Sequence, residues 1–255
     1  MPKIIYLSVL LILALCSSCS NEKTENSIKT LSFSVAEKIP VPEPSGLALS
    51  FDEKEFWVVS DENSKVYLID SWGRLVKSFK VDGEDLEGIT VIDDSTLAVV
   101  LERTREVVLL DTSGLELKRA KLDLEGELNN GLEGISYDPE EKKFFVLNEK
   151  KPRLLITLDE NLNELTRDTL NFSKDVSGIY FDFIDNTLWI LSDESQSINK
   201  TDLRGKPIEE FKIKITQPEG ITLNKARTKL YIVSDKTESL YVFNLEKYER
   251  IILVF

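Results

Sequence analysis

Five short motifs recur along the chain at a nearly constant interval, and this periodicity constrains the fold more than any other feature. Each motif places a glycine after a glutamate or serine and before an isoleucine or leucine. Successive glycines are 42, 46, 44 and 42 residues apart; they are Gly46, Gly88, Gly134, Gly178 and Gly220. A repeat of about 40–45 residues is typical of propeller blades that stack side by side.

Each repeat contains four segments with the composition of β-strands, and no segment has a helical period. The second segment is almost continuously apolar and ends on a carboxylate, as expected for a strand buried on both faces. Its copies occupy residues 56–61, 97–102, 144–149, 188–193 and 230–235. We therefore predict an all-β fold, a five-bladed β-propeller of four-stranded blades.

The sequence at the two ends of the repeat region does not decide which strand closes the ring. Residues 30–37 have the pattern of an extra outer strand that could pair with the last blade and remove its free edge. Residues 249–255 also have the pattern of the fourth strand of that blade. The alternative is a ring of six blades in which one blade is degenerate.

The amino-terminal residues have the pattern of a bacterial lipoprotein signal. Residues 4–15 form an apolar run of about a dozen residues, too short to span a bilayer but suited to a signal peptide. Ser18 precedes Cys19, which favours Cys19 as the lipidated residue. We expect a signal at 1–19, a flexible tether at 20–29 and a propeller at 30–255. The alternative is secretory cleavage without a lipid.

This interpretation places the protein in the cell envelope, with its body outside the cytoplasm. Membrane contact is then through the lipid anchor alone, on either the cell membrane or the outer membrane. We expect a monomer.

Composition removes several classes of function. The chain has no histidine, and its two cysteines, Cys16 and Cys19, both lie in the leader. Histidine-based catalysis and histidine- or thiolate-ligated zinc are therefore excluded for the body. The net charge of −13 argues against nucleic acid as a partner, because phosphates repel carboxylates.

Propeller topology brings the repeated acids to one face. The residue before each glycine begins an innermost strand, and the end of each second strand lies beside it on the same face. The positions before the glycines are Ser45, Glu87, Glu133, Ser177 and Glu219, and the strand ends are Asp61, Glu102, Glu149, Asp193 and Asp235.

Carboxylates crowded at one mouth repel one another unless protons or a cation neutralise them. Oxygen donors without histidine or cysteine suit a hard cation such as Ca²⁺. The candidate ligands are Glu87, Glu133, Glu219, Asp61, Glu102, Glu149, Asp193 and Asp235. The alternative is architectural: the strand-end carboxylates accept backbone N–H bonds from a neighbouring loop, once per blade.

The repeated motif, the apolar strand and the Ser-Asp-Glu segments that follow a lipoprotein leader resemble the SdiA-regulated (YjiK-like) family of bacterial envelope β-propellers. The resemblance covers residues 30–255 and implies a role for Ca²⁺ at the acidic mouth. Ser45 and Ser177 depart from the glutamate of the pattern, which makes any ring of ligands asymmetric.

These patterns favour a non-enzymatic envelope lipoprotein that binds Ca²⁺, or a cationic or metal-bridged ligand, at its mouth. The partner is then a small ligand or another envelope protein. One alternative is a calcium-dependent phosphoesterase similar to phytase, in which bound metal screens the phosphate and activates water. Another is a protein-interaction scaffold, which holds if the acids only cap the blades.

Overall fold

The computed structural model describes residues 29–245, and every regular element in that range is a β-strand. The predicted lipidation site and residues 249–255 lie outside these residues. Two strands precede the repeats: β1 (Lys29–Thr30) and β2 (Val35–Lys38). The described residues contain no helix that is long and apolar enough to cross a membrane.

Five sheets follow one another in sequence order, one per repeat. The first blade comprises β3 (Pro44–Leu49), β4 (Glu55–Ser60), β5 (Lys65–Asp70) and β6 (Leu75–Lys80). The second comprises β7 (Leu86–Val91), β8 (Thr96–Leu101), β9 (Glu106–Asp111) and β10 (Glu116–Lys121). The third comprises β11 (Leu132–Asp138), β12 (Lys143–Asn148), β13 (Leu154–Leu158) and β14 (Glu164–Thr169).

The last two blades use strands from both ends of the described chain. The fourth comprises β15 (Ile179–Asp182), β16 (Thr187–Ser192), β17 (Ser197–Thr201) and β18 (Pro207–Lys212), with β1 added in parallel outside β18. The fifth comprises β19 (Pro218–Leu223), β20 (Lys229–Ser234) and β21 (Ser239–Asn244), with β2 paired antiparallel to β21. The prediction of five four-stranded blades is confirmed.

The ring is closed by the amino-terminal strand β2, which occupies the fourth position of the last blade. Val35 pairs with Val242, and the Ser34 N–H donates to the Val242 carbonyl at 2.7 Å. Phe33 packs edge-on against Tyr241 with ring centroids 4.9 Å apart. The prediction that residues 249–255 form this strand is therefore wrong for the position beside β21, because β2 already satisfies that edge.

Each pair of neighbouring blades encloses its own apolar cluster, and five such clusters close the circle. The strands in second position supply the largest share of this core, because both of their faces are covered. The last cluster joins the fifth and first blades through Val233, Leu240, Leu47 and Val58. A ring with five blades and five interfaces leaves no gap for a degenerate sixth blade.

The motif glycines lie where the innermost strands of adjacent blades touch. A β-carbon on Gly178 would be 2.3 Å from the Glu219 carbonyl oxygen, and one on Gly220 would be 2.5 Å from the Leu47 nitrogen. None of the five motif glycines has a positive φ. Glycine is therefore required for close approach of two backbones and not for a special turn.

The residue after each glycine narrows the central channel. The five side chains are buried and line a constriction of only about 10 Å³; they are Leu47, Ile89, Ile135, Ile179 and Ile221. The constriction separates an acidic chamber of about 220 Å³ from an apolar cavity of about 160 Å³. Each motif thus supplies a polar residue to the mouth, a blade contact and part of an aliphatic plug.

Candidate functional site

The acidic chamber collects side chains from all five blades, as the topology predicts. Its lining contains nine carboxyl groups and one ammonium group: Asp61, Glu87, Glu133, Glu149, Asp175, Asp193, Glu194, Glu219, Asp235 and Lys150. Ser45 and Ser177 line it as well. Seven of the eight predicted ligands therefore face one chamber, and the eighth, Glu102, lies behind it and reaches the same carboxylates.

The three glutamates of the motifs are half-buried at the narrow end of the chamber. Burial raises the pKa of each well above its usual range, because a carboxylate loses hydration there. Repulsion from neighbouring carboxylates raises these pKa values further. Asp61 and Glu102 act on Glu87, Glu87 and Glu219 act on Glu133, and Asp193 and Asp235 act on Glu219.

Glu102 is the most enclosed of the strand-end carboxyls, with 6% of its surface exposed. Its Oε1 accepts the backbone N–H of Gly131 at 3.1 Å, which fixes the side chain. Burial raises its pKa to about 7 despite that bond, and Asp85 and Glu149 add to the shift. One oxygen from each of Glu102, Glu133 and Glu149 lies within 4.8 Å of the others.

Three further strand-end carboxyls, those of Asp61, Asp193 and Asp235, line the same chamber. Burial raises the pKa of Asp61 to about 6, followed by the charge of Glu43, and Asp61 Oδ1 is buried without a hydrogen-bond partner. Asp193 and Asp235 also have raised pKa values, chiefly from burial. Asp193 accepts from the Gln196 side-chain amide at 3.1 Å, and Asp235 from that of Gln217 at 3.3 Å.

Lys150 gives the chamber its one positive charge among the lining residues. Its Nζ lies 2.5 Å from Glu149 and 2.9 Å from Glu194. Burial lowers the pKa of Lys150, but the bonds to these two glutamates outweigh it and the net shift is upward. Because one ammonium faces nine carboxyl groups, Lys150 cannot neutralise the chamber by itself.

The architectural alternative holds for only one strand-end residue within the described part of the chain. Glu102 accepts a backbone N–H from a loop of the next blade, whereas the other four strand-end carboxylates make no such bond there. In three of the five repeats the residue before the strand-end carboxylate binds a loop instead, and the Ser60 hydroxyl has no hydrogen-bond partner among the described residues. Ser234 donates to the Thr216 carbonyl at 2.6 Å, and Asn148 donates to the Pro152 carbonyl at 2.8 Å.

The sequence places Asp175 among the acids of this face, but neither Asp175 nor these loop-binding residues are among the predicted site residues. The Asp175 carboxylate is buried and accepts from the Ser192 hydroxyl and the Glu194 backbone N–H. A signal was present, because a serine or asparagine precedes the strand-end carboxylate in four of the five repeats: Ser60, Asn148, Ser192 and Ser234.

The negative charge of the acidic chamber can be neutralised in two ways. Protons can occupy the carboxyls whose pKa values are raised, or a cation can replace those protons. All of the available donors are oxygens, mostly from carboxylates, which fits a hard divalent cation and does not fit zinc or copper. Glu102, Glu133 and Glu149 are the residues closest to a common ligand geometry.

The fold and the acidic mouth define the class: a five-bladed β-propeller whose channel is acidic at one end and plugged by aliphatic side chains. A family model described as SdiA-regulated matches residues 40–244. The chain belongs to the SdiA-regulated family.

Solved structures with little sequence identity share the fold. A glutaminyl cyclase from Myxococcus xanthus is 10% identical with a TM-score of 0.70, covering 86% of this chain and 97% of that one. The β-propeller domain of Cps50 (Swd1) from Myceliophteria thermophila is 12% identical with a TM-score of 0.53, covering 86% and 71%. A streptogramin B lyase is 17% identical with a TM-score of 0.53, covering 84% and 74%. At these identities the likeness shows the fold alone.

Proposed function

We propose that this protein is a non-enzymatic binding protein of the cell envelope and that its acidic mouth holds Ca²⁺, either alone or as a bridge to a ligand. One observation carries the proposal: Glu102, Glu133 and Glu149 direct carboxyl oxygens to within 4.8 Å of one another in a half-buried site. Without a cation, such a cluster must retain protons, which the raised pKa values express.

Calcium suits this site better than magnesium. Ca²⁺ accepts six to eight oxygens in irregular geometry, whereas Mg²⁺ demands a compact octahedron and holds its own water. The three carboxyls come from different strands and loops around a chamber of about 220 Å³, which leaves room for water or a ligand group in the remaining positions. The unpartnered Oδ1 of Asp61 is a further donor in the same chamber.

Binding is favoured over phosphoester hydrolysis by the shortage of positive charge. A phosphate needs basic groups as well as metal, because its own charge is repelled by the carboxylates. Lys150 is the one basic residue in the chamber lining, and it already contacts Glu149 and Glu194. Incubation with inositol phosphates, with and without chelator, separates the two functions, since phosphate release that depends on Ca²⁺ would favour the enzyme.

We expect the full-length protein to bind Ca²⁺ in a calorimetric titration at neutral pH. Combining Glu87→Gln with Glu133→Gln should weaken binding by at least about tenfold, or about 1.4 kcal/mol. The reason is that each change removes a possible carboxylate ligand from the chamber lining at nearly constant volume.

The matched control is Glu140→Gln, which removes an exposed carboxylate from the loop after β11, remote from the mouth. Its Ca²⁺ affinity should equal that of the unchanged protein. Absence of heat at millimolar Ca²⁺ would eliminate the metal site and the calcium-dependent phosphoesterase together. The protein-interaction scaffold would then be the remaining interpretation.

We also propose that Cys19, which lies outside the described residues, carries the lipid that holds a monomeric body at a membrane surface. Support comes from the short apolar leader and the small residues before Cys19. Cells expressing the protein should incorporate a labelled fatty acid into it, and Cys19→Ser should abolish the label. Cys16→Ser is the control and should retain it; a label that follows Cys16 instead would reassign the site.

A further inference from the structure

The channel ends, on the face opposite the acidic chamber, in an apolar cavity of about 160 Å³ that is open to solvent. Its wall comes from the second half of every innermost strand. The aliphatic plug of Leu47, Ile89, Ile135, Ile179 and Ile221 forms its inner end. The constriction of about 10 Å³ holds no more than a water molecule, so the two ends of the channel are separate compartments.

The interior of this cavity is uncharged. Its two charged lining residues, Glu53 and Lys225, belong to the turns after β3 and β19 and are held together at the rim. The Lys225 ammonium donates to the Phe51 carbonyl at 2.8 Å and lies 4.7 Å from the centre of the Phe51 ring. A bound molecule would therefore meet balanced charges at the rim and none inside.

Aromatic side chains flank the opening. Phe51 is 53% exposed and Phe183 is 44% exposed, although both line the cavity. Tyr137 and Tyr180 also line the cavity, and a few hydroxyl groups interrupt the apolar wall. A concave, mostly apolar pocket with a few polar groups is the usual form of a small-molecule site.

We propose that this cavity binds a small neutral apolar molecule, the size of a single aromatic ring or a short alkyl chain. An apolar cavity of about 150 Å³ is known to accommodate benzene, which sets the size of the ligand. The absence of charge in the lining interior excludes a charged ligand body, because its hydration would be lost without compensation. This site is independent of the proposed cation site and lies at the other end of the channel.

The test is a titration of the full-length protein with toluene, followed by methyl NMR of isoleucines labelled at their δ-methyl groups. Ring currents from bound toluene should shift the lining isoleucines in a saturable way, and toluene protons should show cross-relaxation with them. Isoleucines that do not line the cavity should be unaffected; Ile39, Ile156 and Ile198 serve as internal references.

A variant that fills the cavity makes the test specific. Thr90→Phe places a ring where toluene would bind and should weaken its affinity at least about tenfold. Thr166→Phe, on the outer strand β14, makes the same chemical change away from the channel and should have no effect. If Thr90→Phe fails to fold, as judged by its methyl spectrum, Thr222→Leu replaces it, because Thr222 also lines the cavity.

Three results of the titration would overturn the proposal. They are the absence of saturable shifts up to the solubility limit of toluene, shifts spread over the reference isoleucines, and equal affinity in the filled and unfilled variants. Cross-relaxation between the lining methyl groups and the Phe255 ring would also overturn it, since the chain's own end would then occupy the cavity.

Discussion

Gly178→Ala is expected to destabilise the protein by at least about 3 kcal/mol, near the upper end of the usual cost of overpacking. The new β-carbon would lie 2.3 Å from the Glu219 carbonyl oxygen. That oxygen belongs to the innermost strand of the next blade, which is covered on both sides and cannot move without disturbing the ring. The free energy of unfolding in urea measures the effect.

Gly134→Ala is the matched comparison, because it changes the same motif position in the preceding repeat. Its nearest contacts would be the Ile179 Cγ2 at 3.1 Å and the Ile179 nitrogen at 3.2 Å, which need only a small adjustment. We expect it to cost about 1 kcal/mol. Equal losses in the two variants would show that close approach between blades is not what selects glycine.

The calcium-free protein is expected to lose stability as the pH rises from 5 to 8. The pKa of Glu102 is about 7 in the folded protein, above its ordinary value of 4.5, so the folded state retains a proton that the unfolded chain has released. Stability therefore falls between pH 4.5 and 7 and levels off above 7. At about 1.4 kcal/mol per pH unit, Glu102 alone accounts for about 3 kcal/mol.

Other acids either add to this loss or titrate elsewhere. Asp61, with a pKa of about 6, and the motif glutamates act in the same direction. Carboxyls with lowered pKa values, such as Asp52 at about 2 and Asp111, titrate below pH 4 and do not contribute in this window.

Glu102→Gln should therefore be more stable than the unchanged protein at pH 8 in chelator, by about 2–3 kcal/mol, and equal to it near pH 4.5. The glutamine oxygen can still accept the Gly131 N–H, so the change isolates the charge. Glu140→Gln should follow the unchanged protein at every pH. Stability that is flat or rising from pH 5 to 8 in chelator would contradict the electrostatic description of the mouth.

In millimolar Ca²⁺ the unchanged protein should become more stable than Glu102→Gln, which reverses their order of stability in chelator. Ca²⁺ that binds only the folded state increases the free energy of unfolding, and the increase grows with the ratio of free Ca²⁺ to the dissociation constant. Because Ca²⁺ displaces protons from the carboxyls, its affinity should also increase between pH 5.5 and 8. Because Glu102→Gln removes a carboxylate ligand, Ca²⁺ should stabilise this variant less than the unchanged protein.

Much of the fold was predictable because it depends on local patterns. A strand buried on both faces must be apolar almost throughout, so strands such as β4 and β16 are evident from their composition alone. The repeat of the motif glycines then fixes the number of blades. The closure was only half predictable, since residues 30–37 and 249–255 have the same strand pattern and only long-range pairing selects one of them.

The residues that line the acidic chamber were predictable from the sequence, but the distances between their carboxyl groups were not. The eight acids occupy two positions that recur in each repeat, before the motif glycine and at the end of the second strand. Propeller topology brings equivalent positions of all blades to one face. Which of them share a ligand geometry depends on distances between blades that no local pattern records. Glu102 is fixed by Gly131, 29 residues away in sequence, and Lys150 joins Glu149 to Glu194 across two blades.

The sequence by itself determined the class of fold, the five blades, the face on which the acids meet and the exclusion of histidine and thiolate chemistry. These follow from composition and periodicity, which are properties of single residues and fixed spacings. The tertiary structure alone decided that β2 closes the ring, that Glu102, Glu133 and Glu149 converge, and that five aliphatic side chains divide the channel. Those outcomes depend on backbones from different blades meeting at van der Waals distance, and such contacts exist only once the ring has closed.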